Sequence, residues 1–156
     1  MAIAELNRIE RKTLIRAPRS RVWRALTTVP EFCQWFSAKT SVTDFVPGVC
    51  ANLVSTYSGE KSCDGQSFIM DIVEMTPEHR FSWRWHPGSA EPDENLSAEP
   101  TTLVEFTLED DEEGGTLVTV VETGFEKLFE NRKPRVIREN TEGWEIQMAA
   151  FARYLQ

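Results

Sequence analysis

No apolar run in this sequence approaches the roughly 20 residues that a membrane-spanning helix needs. The opening MAIAELNRIERK has no continuous apolar core of the kind a secretory signal carries, so a cytoplasmic location is expected. Positive charge is also scarce. Lys and Arg number 17 against 25 Asp and Glu, a formal charge of −8. Affinity for nucleic acid and for anionic lipid comes mainly from Lys and Arg, so neither partner is expected, nor is membrane insertion. Histidine occurs twice, at His79 and His86, on opposite parities of one predicted strand. A metal site needs converging His, Cys or carboxylate groups, and none is expected. Cys33, Cys50 and Cys63 form no C-x-x-C pair and read as reduced thiols. G-x-S-x-G, G-x-G-x-x-G and the P-loop pattern are all missing, which leaves nucleophile-elbow, nicotinamide and ATP chemistry without support. No cofactor is expected.

What the sequence does have is patterning. Its 156 residues, 40% of them apolar, suffice for a single domain over 1–156 with a substantial core. The stretch from Pro134 to Gln156 places Ile137, Trp144, Met148, Phe151 and Leu155 on one helical stripe. Such a helix would run roughly 34 Å. Ile146 falls opposite the stripe, as a lone exposed apolar residue or a dimer contact, so monomer and homodimer both stay open.

Upstream, residues 8–16 suit an edge strand, and Ala17-Pro18 ends it. Arg19–Leu26 and Pro30–Phe36 suit two short helices. From Ser37 onward the period is two. Strands are predicted over 39–45, 49–57, 67–75, 79–86, 101–109 and 116–123, with 58–66 a connection, 87–100 a long loop and 126–133 a charged link. Residues 67–75 are apolar on both parities, which leaves their inward face undecided. The fold class is α+β: about seven antiparallel strands forming a curved sheet wrapped on the long C-terminal helix, with two short helices after the first strand.

Phe81, Trp83 and Trp85 share one strand face, and Thr102, Val104, Phe106 and Leu108 share another. Trp35, Met70, Trp83, Trp85, Phe106, Trp144, Met148 and Phe151 are candidates for the lining of a cavity between sheet and helix. Ordinary close packing is the competing reading of each. Among the strand-borne charges Asp71, Arg84, Glu105 and Glu122, an outer solvated face is the usual fate. An inward one would orient the polar end of a ligand, and Arg84 and Glu122 are the candidate polar groups.

Several stretches resemble the SRPBCC superfamily, the START-like or helix-grip fold, and in particular its branch of heat-shock-protein-90 ATPase-activator homologues (AHSA). They are Ile15, Ala17-Pro18, Val22-Trp23, Ala25-Leu26-Thr27, Glu31 and Gln34-Trp35-Phe36 at the start, and Phe81, Trp83, Gly115-Thr116 and Gly124-Phe125 in the centre. Gly143-Trp144, Met148, Phe151 and Leu155 complete the set at the end. The resemblance implies a curved sheet gripping the last helix, often around a cavity for an apolar ligand. Three functions follow as expectations. The first is binding of an apolar or aromatic small molecule. The second is a polyketide cyclase- or dehydratase-like activity, which some members of the superfamily show and which needs an inward acid, base or Arg-type donor. The third is a protein-interaction module with a chaperone partner, although the activators' separate N-terminal chaperone-binding domain has no counterpart in these residues.

Overall fold

The computed structural model describes residues 7–57, 66–88 and 95–156. Strand β1 (Arg8–Ile15) leads into helices α1 (Arg19–Thr27) and α2 (Val29–Phe36). Strands β2 (Ala38–Lys39), β3 (Cys50–Ser55), β4 (Ser67–Thr76), β5 (Arg80–Trp85), β6 (Thr102–Asp110) and β7 (Thr116–Thr123) follow, and helix α3 (Lys133–Leu155) ends the order. The seven strands form one sheet, β1-β7-β6-β5-β4-β3-β2, and every pairing is antiparallel. No helix among the described residues is long and apolar enough to cross a membrane.

Side-chain alternation decides which face is covered. Thr102, Val104, Phe106 and Leu108 of β6 are buried, as are Thr116, Val118, Val120 and Glu122 of β7. Helix α3 lies over this face and buries Val136, Trp144, Met148 and Phe151. Each such apolar side chain is worth about 1.5–3 kcal/mol when fully removed from water. Helices α1 and α2 meet at Thr28, whose extended backbone (φ −88, ψ 121) separates them. They are too short to persist alone and are held by ring contacts: Phe32 on Trp83 at 6.1 Å and Trp35 on Phe151 at 4.5 Å. The Trp35 indole N–H also donates to the Ala25 carbonyl at 2.9 Å. This is the helix-grip architecture that the sequence pattern predicts.

Several local expectations are corrected. The strand predicted over 39–45 stops at Lys39. The Thr40 hydroxyl donates to the Asn52 carbonyl at 2.7 Å and accepts from the Val42 amide at 3.1 Å, so a side chain takes the place of the next ladder bond. Phe45 then turns into the core against Phe32 and Phe81. In β4 the register shifts between Ile72 and Glu74, and this bulge changes which parity faces inward. Met70 and Ile72 are buried before it and Met75 joins the core after it, whereas Ile69 and Val73 are exposed.

On α3 the buried seam includes Val136, which the predicted stripe omits, while Ile137 and Leu155 are half-buried. Ile146 is half-buried too, rather than exposed. The charged link over 126–133 begins with a 3₁₀ turn at Phe125–Lys127, and both Phe125 and Leu128 are buried. Residues 58–65 of the predicted connection, with Cys63, and residues 89–94 of the predicted long loop lie outside the described residues.

Candidate functional site

Near the end of β7, alternation turns Glu122 inward, where its side chain is fully buried. Four donors meet its carboxylate. One oxygen accepts from the Trp85 indole N–H at 2.9 Å and from the Thr102 hydroxyl at 2.6 Å. The other accepts from the Asn140 amide at 2.8 Å and from the Trp144 indole N–H at 2.8 Å. Two donors come from the sheet and two from α3, so the carboxylate fastens helix to sheet. Indole N–H groups can only donate, and an ionised carboxylate can only accept, so the set matches the ionised form of Glu122. All four partners are neutral. Among the described residues Glu122 has no Lys, Arg or His at ion-pair distance, and the four donors hold it by hydrogen bonding alone.

Aromatic rings surround this anchor. Trp85 and Trp144 are inclined at 32° with centroids 6.0 Å apart. Phe68 stands nearly perpendicular to Trp85 (83°, 5.9 Å), and Phe36 lies against Phe68, Trp85 and Trp144 at 5.6, 6.3 and 6.4 Å. Trp85 and Phe68 are half-buried, and Phe36 beneath them is buried. At this corner the cluster is only partly covered.

The predicted site residues divide accordingly. Trp83, Trp85, Phe106 and Trp144 form one connected group with Glu122, linked ring to ring within 6.3 Å. Trp35 of α2 and Phe151 of α3 pack on each other at 4.5 Å, and Trp35 reaches the group through Phe106 at 6.4 Å. Met70 and Met148 are buried within the same core. Arg84 is not brought to the cluster. It is exposed on the outer face of β5, paired in register with Asp71 of β4. Trp83 carries an indole N–H that is buried and has no acceptor among the described residues.

Sequence reasoning missed Thr102, Asn140, Phe36 and Phe68 as members of the site. Thr102 shares the inward parity of Phe106, and Asn140 lies one helical turn before Trp144, so a signal existed for both. Phe68 was obscured by the two-faced apolar pattern of β4.

Other features lie apart. A groove of about 460 Å³ lined by Lys39, Thr40, Ser41, Asn52, Val54 and Ser67 runs along the β2–β3 edge, away from the aromatic cluster. His79 and His86 are both exposed. No group of three or more His, Cys, Asp or Glu able to hold a metal occurs among the described residues.

Two clasps frame the site. The Arg132 guanidinium, 1% exposed, meets the buried Glu99 carboxylate at 3.1 Å and donates to the Pro87 carbonyl at 2.9 Å. At the opposite end of α3, Glu31 accepts from Arg21 and from the Tyr154 hydroxyl, each at 2.7 Å. Burial pushes the Glu31 carboxyl upward, but the hydrogen bonds from Tyr154 and Arg21 outweigh it and hold the group below its usual range.

Comparison with known proteins places this geometry in context. Among solved structures, protein Ms6760 from Mycobacterium smegmatis superposes with a TM-score of 0.73 at 18% identity, covering 97% of this chain and 92% of that one. The Aha1 dimer from Colwellia psychrerythraea gives 0.67 at 16% identity, with 95% of each chain covered. DynU16, a putative protein in the dynemicin biosynthetic locus, gives 0.71 at 23% identity over 96% of this chain, which spans 47% of DynU16. At such identities the likeness is one of fold. No functionally curated protein matches the sequence. The family model described as activator of Hsp90 ATPase homolog 1-like protein matches residues 16–156. With its seven-stranded sheet closed on α3, the chain belongs to this AHSA family of the START-like SRPBCC superfamily.

Proposed function

We propose that this protein binds an apolar or aromatic small molecule at the aromatic cluster between the sheet and α3. One observation carries the reading. Trp85 and Phe68 are only partly buried, although Trp85 donates to a fully buried carboxylate with four hydrogen-bond donors. A core that served packing alone would gain more by covering those rings than by burying a charge beneath them. Trp83, Phe106 and Trp144 supply the apolar wall behind the corner. Trp35, Met70, Met148 and Phe151 hold that wall in place.

Native mass spectrometry of the freshly purified protein, followed by solvent extraction, tests this directly. A reproducible excess mass that is lost on denaturation and reduced in Trp85→Ala is the expected outcome. A clean apo mass, with no shift of the Trp85 indole signal on titration with apolar aromatic probes, would remove the proposal.

Glu122 also supports a second, enzymatic reading, because an inward acid is what a cyclase- or dehydratase-like reaction requires. The position of DynU16 in a biosynthetic locus is in keeping with such chemistry. Both Glu122 oxygens are already engaged, so proton transfer would require substrate to displace Thr102 or Asn140. Turnover of a polyketide-type substrate that disappears in Glu122→Gln would favour this reading over simple binding. The family description and the Aha1 neighbour motivate a third, chaperone-directed reading, for which stimulation of a chaperone ATPase is the discriminating assay.

A further inference from the structure

We infer that the corner formed by Trp85, Phe68 and Phe36 selects an organic cation, an alkylated or aryl-alkyl ammonium group, over neutral or anionic molecules of the same shape. The inference rests on the binding reading above and adds the charge of the ligand to it.

Three observations converge. The first is electrostatic. Glu122 is fully buried, takes hydrogen bonds from neutral donors only, and has no cationic partner among the described residues. Its donors spread the charge without cancelling it, so the rings above it lie in a negative field weakly screened by solvent.

The second concerns ring orientation. Trp85 and Trp144 both turn their N–H edges to the carboxylate. The edge of an aromatic ring is its positive part and the face its negative part. Donation to an anion therefore leaves the faces directed elsewhere and makes them richer in electrons. The partly exposed Trp85 meets the partly exposed Phe68 at 83°, and the buried Phe36 lies at 56° to Trp85 and 47° to Phe68. Three mutually inclined rings form half of a box, the arrangement that suits methylated ammonium groups by cation–π attraction.

The third is the charge of the whole molecule. A formal −8 favours approach of a cation, although salt screens this part beyond about 8 Å. A fatty acid or another carboxylate would meet repulsion from Glu122 instead.

The test uses the full chain, a cation with its neutral isostere of the same shape, and an anion of the same aryl-methyl frame. Benzyltrimethylammonium, its neutral isostere neopentylbenzene and the anion phenylacetate are titrated while the indole N–H resonances of Trp85 and Trp144 are followed by NMR. The cation is expected to bind about tenfold more tightly than the isostere, with phenylacetate weakest. In Glu122→Gln that preference, read as the ratio of the two affinities within the variant, should fall to about one. Should Glu122→Gln fail to fold, Phe68→Leu, which leaves the carboxylate network intact, should also erode the preference. Equal or tighter binding of neopentylbenzene to the native protein would overturn the inference and leave the binding site standing. If neither compound moves the Trp85 signal, both the inference and the binding proposal fall.

Discussion

Two tryptophans on the inner wall have similar burial and opposite demands. Trp144 gives its indole N–H to Glu122, whereas Trp83 has no acceptor for its own among the described residues. Replacing either by Phe removes similar volume, so the difference between the two variants isolates the hydrogen bond. Trp144→Phe is expected to lose about 1.5–3 kcal/mol more than Trp83→Phe, because it leaves a buried carboxylate one donor short. Urea midpoints at unchanged m-values check this. Glu31 provides a titrating counterpart. Its carboxyl sits below the usual range in the folded protein, so its contribution is present above the unfolded value near 4.5 and fades as the pH falls through the folded value. Tyr154→Phe removes one of the donors responsible. The stability gap between native protein and variant should therefore be wider at pH 7 than at pH 3, as acid titration of thermal unfolding would show.

At the scale of elements, two glycines make opposite predictions. Gly115 turns the β6–β7 hairpin at φ +91, and a Cβ there would sit 2.7 Å from the Ile15 carbonyl oxygen. Gly115→Ala should strain the turn and push β1 from β7 at the point where Ile15 pairs with Thr116, costing about 1–3 kcal/mol. Gly143 lies inside α3, and a Cβ there would meet nothing within 4 Å. Gly143→Ala should raise stability by about 0.4–1 kcal/mol through the unfolded chain. Thermal melts of both variants against the native protein check the signs. Strand limits were legible wherever one parity was apolar and the other polar, as in β5 and β6. They failed at β2 because the Thr40 hydroxyl bonds the Asn52 carbonyl and the Val42 amide, whereas on β4 the limits held and only the inward face stayed undecided, because a bulge exchanges the parity.

Across the whole molecule, stability depends on joining segments distant in the chain. Arg132 connects the start of α3 to Pro87 and Glu99, and Glu99 also accepts from the Phe129 amide at 3.0 Å. Arg132→Met would leave Glu99 buried without its cation and is expected to cost about 3–5 kcal/mol. Changing both residues to apolar ones, as Arg132→Met with Glu99→Leu, should recover much of that loss. Chemical denaturation of the single and double variants measures it. Nothing in the sequence marks this pair, since the two residues stand 33 apart with no shared pattern and meet only once β5, β6 and α3 are in place.

The sequence by itself determined the α+β class, the order of elements, the long terminal helix and the inward aromatics, because alternation and helical period are local properties of the chain. Tertiary structure alone decided which polar groups those faces would bury. Whether Glu122 meets water or four donors depends on where Trp85, Thr102, Asn140 and Trp144 arrive, and three segments have to pack before they do. Arg84, by contrast, was decided locally, because alternation with the inward tryptophans carries it to the outer face. A buried charge is tolerated only where distant donors converge on it, and that convergence is a property of the fold.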